Sequence, residues 1–153
     1  LPLIIAGVTL LLLQHPSDAR NWSMDQSRVP SITFDGPRFT VHDHRRFRYR
    51  SPSDWDAAWD TQTFDRDALV GVDMGVERFS DLQAIAHTFV QFRFAGHEPL
   101  VVSVEIRKEQ GETFSPLRGL YRQYEKMIVL GDPDDLIALR VEHRRHPVVL
   151  HPL

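Results

Sequence analysis

Two segments constrain the fold of this chain more than any others. HTFVQFRF (87–94) and LVVSVEIR (100–107) both alternate with a period of two. In the first, Val90, Phe92 and Phe94 fall on one face, and Phe89, Gln91 and Arg93 on the other. In the second, Val102, Val104 and Ile106 share a face opposite Ser103, Glu105 and Arg107. A repeat of two belongs to extended chain, whose side chains point alternately to opposite sides. The link through Gly96 is short, so the two strands are expected to pair antiparallel.

The remaining chain reads as α+β and strand-rich, with an antiparallel sheet. Its 153 residues suffice for one domain with a sizeable core. SITFDGPRFTVHDHRRFRYR (31–50) alternates around an Asp35-Gly36-Pro37 turn, a hairpin signal. SPSDWDAAWDTQTFDRD (51–67) reads as a loop carrying Trp55 and Trp59. LVGVDMGVERF (69–79) reads as a strand that Gly71 and Gly75 weaken. A short helical turn is expected over 80–86, with Ser80 as N-cap. Then come a mixed turn-helix stretch (116–125), an apolar strand (126–130), a Gly131-Asp132-Pro133 turn and one or two short strands.

The chain opens on LPLIIAGVTLLLLQ, with an apolar run of about 13 residues. That is shorter than the roughly 20 residues a spanning helix needs. It fits a truncated membrane anchor or a signal h-region at 1–14, with a core helix as the alternative. Residues 15–30, polar and holding Pro16 and Pro30, read as a linker to an extracytoplasmic domain at 31–153. The net charge of −3 argues against a general nucleic-acid binder. There is no cysteine, which excludes disulfides and a thiol nucleophile within these residues.

Four constellations carry potential chemistry. His87 opens one strand of the central pair, and Ser103, Glu105 and Arg107 line the other. An acyl-transfer site needs a base and a group that fixes the base's tautomer, and this spacing permits both. The same residues equally fit a solvated strand face with a strand-end histidine. Arg46, Arg48 and Arg50 form either a cationic strip for phosphate-bearing headgroups or a charged sheet edge. His42 and His44, at i,i+2, share a strand face, and His143, His146 and His151 could join them. No zinc-signature spacing is present, so no metal site is assigned. Tyr121, Tyr124 and Glu125 fit either a helical face or ordinary aromatic packing.

Taken together, IAHTFVQFRFAG, VVSVEIRKEQGETFSPLRGLYRQYEKMIVLGDPDDLIALR and the closing VVLHPL resemble a bacterial family. It is the extracytoplasmic N-terminal domain of Lnb-type lipoprotein N-acyltransferases. NWSMDQSRVP, FRYRSPSDWDAAWDTQTFD and LVGVDM fit the same pattern, so the likeness runs from about residue 21 to the last residue. The resemblance implies a permuted papain-like (NlpC-type) fold in which the histidine precedes a nucleophilic cysteine. Family members carry that cysteine in an Asn-Cys-Thr motif downstream of the matched region. This chain has none, so the expectation is a fragment at both ends or a degenerate relative.

Carried over residue by residue, the resemblance makes His87 the general base and later the general acid. Glu105 becomes its orienting partner and Ser103 a lesser candidate for that role. Arg107, Tyr124 and Glu125 become candidate substrate-binding residues. The implied activity is transfer of an acyl group to the N-terminal cysteine amine of a lipoprotein, through an enzyme thioester. The implied donor is a phospholipid or lipoprotein glyceride. The implied location is the inner membrane, with the domain facing the periplasm; no cofactor and no nucleic acid enter. Two alternatives stay open: a cysteine-dependent envelope hydrolase, and a non-catalytic envelope binding domain.

Overall fold

The computed structural model describes residues 17–78, 86–113 and 124–153. The expectations for the apolar run 1–14, a helical turn capped by Ser80 and the turn-helix stretch around Tyr121 lie outside those residues. Among the described residues, no helix is long and apolar enough to cross a membrane. The chain forms two compact units, residues 1–27 with 106–127 and residues 28–105 with 128–153.

Among the described residues ten strands form in chain order: β1 Ser31–Asp35, β2 Arg38–Arg45, β3 Arg48–Ser51, β4 Asp54–Asp56, β5 Trp59–Asp65, β6 Leu69–Glu77, β7 His87–Phe94, β8 Leu100–Arg107, β9 Glu125–Gly131 and β10 Val148–Pro152. Eight of them make one sheet in the order β1-β2-β9-β8-β7-β6-β10, with β5 also on β2; β3 and β4 form a separate ribbon. The β1–β2 hairpin turns at Gly36, whose φ of 56° is a left-handed conformation that glycine adopts without strain. The β6–β7 and β7–β8 pairs are antiparallel, the second as its short link predicts. β2 meets β9 in parallel, through Arg45 and Gly131, so the sheet is mixed. The class is α+β and sheet-rich.

Burial follows the period-two pattern. Phe94 of β7 and Leu100 of β8 join Val41, Phe64 and Leu130 in the core, with Phe39, Phe92 and Val102 packed against it. The Phe39 and Phe64 rings stack at 5.2 Å, and Phe64 meets Phe94 at 5.1 Å. The odd-numbered face of β7 and β8 is polar and largely buried, with Gln91 and Ser103 beside Phe89.

Three local readings are corrected. The stretch 51–67 is mostly strand, forming β4 and β5 rather than a loop. Its inward side carries Asp60, Gln62 and Phe64, so no apolar alternation announced it. The Gly131-Asp132-Pro133 turn opens a short helix, α1 Pro133–Leu136, and a π-helical turn, Leu139–His143. Asp132 is its N-cap and accepts from the Asp135 N–H at 2.8 Å, with Pro133 at the first helical position. Finally, His42 and His44 do not share a face. A bulge at Asp43, φ 53°, inserts one residue between the pairs Val41–Gln62 and His44–Asp60. Val41 and His44 therefore both point inward, and His42 points away.

Candidate active site

The site forms on the polar face of β6, β7 and β8, within the second unit. Glu77 of β6 pairs with His87 of β7. Phe89 pairs with Ser103 of β8, and continuing that register by two residues sets His87 opposite Glu105. All five side chains thus share one face. Gly75 lies across from Phe89, and the ring occupies the space a Cβ there would take.

A continuous hydrogen-bond chain links them. His87 Nε2 stands 2.8 Å from Ser103 Oγ and 3.4 Å from Glu105 Oε1. Ser103 Oγ donates to Glu105 Oε1 at 2.7 Å. Arg140 Nη2, from the π-helical turn, donates to the same Glu105 oxygen at 2.6 Å. On its other side Arg140 Nε donates to Glu77 Oε2 at 2.8 Å, and Glu77 Oε1 meets His146 Nδ1 at 2.7 Å. Ser103, Glu77 and Arg140 are buried, while His87 and Glu105 are partly exposed.

Burial pushes the Glu105 carboxyl up. The hydrogen bond and charge of His87, the Arg140 guanidinium and the Ser103 hydroxyl outweigh that, and hold it well below the usual carboxylate range. An ionised carboxylate only accepts, so the Ser103 hydrogen points at Glu105. The serine oxygen can then only accept from the ring, and neutral His87 carries its proton on Nε2. Its basic lone pair sits on Nδ1, which has no partner among the described residues. This arrangement fits a general base: an oriented, partly exposed imidazole whose cation the adjacent carboxylate would stabilise.

Arg107, Tyr124 and Glu125 belong to the first unit and find partners there. Arg107 is buried, with its guanidinium donating to Gln26 O at 3.1 Å and Asp18 Oδ1 at 2.6 Å, and lying 4.3 Å from the Trp22 ring centroid. Tyr124 Oη donates to Thr113 O at 3.0 Å. Glu125 starts β9 rather than lying on a helix, and accepts from Ser17 N and Arg20. The arginine strip is matched by carboxylates: Arg46 and Arg48 bind Asp132, and Arg50 binds Asp54 and Asp56.

Sequence reasoning missed Arg140 and Glu77, and considered His146 only as a possible companion of His42 and His44. A lone arginine inside the apolar run LIALRV is the signal that could have flagged Arg140, because a charge amid apolar residues needs a buried partner.

Fold and site together define a sheet-rich α+β domain that carries a hydrogen-bonded cluster of His87, Ser103, Glu105 and Arg140. The model of the Lnb N-terminal periplasmic domain matches residues 55–153, about two thirds of the chain. The chain belongs to that family, and these residues are a periplasm-facing domain. Comparison with curated proteins and with solved structures found no match to either.

Proposed function

We propose that this domain supplies the base of a bacterial lipoprotein N-acyltransferase of the inner membrane, on a permuted papain-like frame. The observation that carries the proposal is the His87–Ser103–Glu105 relay, which leaves Nδ1 as the basic nitrogen. Family membership supports the setting. A cysteine from outside these residues would approach Nδ1, lose its proton to it and attack the ester carbonyl of a glyceride. The C–O bond breaks, the departing alkoxide takes the proton from His87, and a thioester remains. The α-amine of a lipoprotein's N-terminal cysteine then attacks the thioester. An amide forms, the thiolate leaves, and His87 takes the surplus amine proton. Glu105 stabilises the imidazolium in both half-reactions; Arg107, Tyr124 and Glu125 stay outside this chemistry.

The test is His87→Gln in the full-length enzyme, read by mass spectrometry of lipoprotein N-termini. Removal of a general base costs on the order of 10²–10⁴ in rate, so N-acylation should fall at least a hundredfold. Retained N-acylation overturns the assignment. Free fatty acid or cleaved peptide released without an amine acceptor would instead make the domain part of a hydrolase.

A further inference from the structure

We propose that Arg140 is the positioning residue of this site: it keeps Glu105 an acceptor, sets the direction of the hydrogen bonds through Ser103, and so leaves the lone pair of neutral His87 on Nδ1. The consequence for catalysis rests on His87 being the base; the positioning itself does not.

Arg140 is 3% exposed and spends its guanidinium on three acceptors. These are Glu105 Oε1, Glu77 Oε2 and the Leu136 carbonyl. Its guanidinium carbon also lies 5.6 Å from the Phe89 ring centroid. The residue is carried on a π-helical turn, closed by Arg144 N donating to Leu139 O at 3.0 Å. Such turns reset the direction of the following side chains and recur at functional sites. Here one guanidinium fork reaches carboxylates on two different strands, β6 and β8, which a lysine's single ammonium matches poorly.

The groups facing Glu105 come from every side of the site. His87 and Ser103 approach from β7 and β8. Glu77, which holds His146, lies across the Arg140 guanidinium. Arg45 acts on Glu105 only through its field, since its own guanidinium clasps Asp135 at 2.9 and 2.8 Å. Among the described residues Arg140 is the arginine hydrogen-bonded to Glu105. Without it, only His87 and Ser103 among its hydrogen-bonding partners oppose the burial that favours a proton on the carboxyl, and the carboxyl moves up. A protonated Glu105 becomes a donor to Ser103 Oγ. The serine hydrogen then turns to His87 Nε2, and the ring proton moves to Nδ1. One added proton on Glu105 reverses the whole relay and occupies the nitrogen that has to act as base.

The experiment reads the ring nitrogens of His87 by ¹⁵N NMR in the full chain, at about pH 8, above the ordinary imidazole range. The wild type should show an N–H signature at Nε2 and a lone-pair signature at Nδ1; a proton on Nδ1 overturns the proposal at once. The variant is Arg140→Met together with Glu77→Gln, which removes the cation and also the carboxylate that would be left buried and unpaired. In it the Glu105 carboxyl midpoint should rise by at least about one unit, a tenfold change. Arg140→Gln in the same background is the second variant, keeping hydrogen bonding without the charge. A folded variant of either kind that keeps the wild-type midpoint overturns the proposal. These readouts need no turnover. Active His87→Gln enzyme would sink the acid–base function while leaving the tautomer result standing.

Discussion

At the scale of single residues, two glycines mark where the backbone admits another group. An added Cβ at Gly131 would lie 2.7 Å from the Arg45 carbonyl oxygen, which is backbone and cannot swing aside. An added Cβ at Gly75 would lie 2.2 Å from Phe89 ring atoms. Phe89 is itself buried under Arg140, two residues from His87. Gly75→Ala should therefore destabilise by about 1–3 kcal/mol, the usual cost of overpacking a tight site. In a Phe89→Ala background the same change should cost under about 0.5 kcal/mol, because neighbours that share a clash are not additive. Urea melts of the four chains complete the cycle. Equal costs in both backgrounds would show that the ring is not the obstacle. In the sequence Gly75 looked like a weakness of a strand and Gly131 like part of a turn; they are where a ring and a neighbouring strand come closest.

At the scale of elements, α1 is tied to the β2–β3 corner by its first turn. The Asp132 carboxylate caps the helix backbone and binds Arg46 and Arg48. Asp135 is fully buried, grips Arg45 with both oxygens and accepts from the Phe47 N–H at 2.8 Å. Asp135→Ala strands a buried guanidinium and should cost about 3–5 kcal/mol in equilibrium unfolding. Arg50→Ala removes an exposed, solvent-screened partner of Asp54 and Asp56 and should cost far less. A loss below about 1 kcal/mol for Asp135→Ala would refute this account of the corner. The β7–β8 pair was legible because its alternation is strict and its link short, and the shared face of His87, Ser103 and Glu105 follows from register alone. β5 was not legible, since its inward Asp60 and Gln62 look like surface residues. The bulge at Asp43 was not legible either, as one inserted residue leaves no mark on composition yet turns His44 inward. Arg140 was hidden because its partners Glu77 and Glu105 are 63 and 35 residues away in sequence.

At the scale of the whole molecule, the buried titratable groups act in one direction. Burial pushes His44 below its ordinary value; Asp60 and Asp132 pull it back only in part, and Arg46 lowers it further. Its neutral form is the one the folded state favours, so the unfolded chain takes up the proton first. Stability is then complete above about pH 6.5 and declines as pH falls below it. Glu105 and Asp132 are held below the carboxylate range against their burial, by His87, Arg140 and Ser103 in one case and by Arg48, the Asp135 N–H and Arg46 in the other. Their contributions are present above about pH 4 and are lost as pH drops further, towards their folded values. The melting temperature should therefore be flat above about pH 7. It should fall gently from about pH 6.5 to 5 and steeply below about pH 4.5. His44→Phe should remove the gentle limb and keep the steep one, since Phe64 already lies beside that ring at 6.3 Å. Thermal unfolding at fixed ionic strength across this range decides the matter. A melting temperature that rises on acidification from pH 7 to 5, or a gentle limb that survives in His44→Phe, would remove His44 as its source.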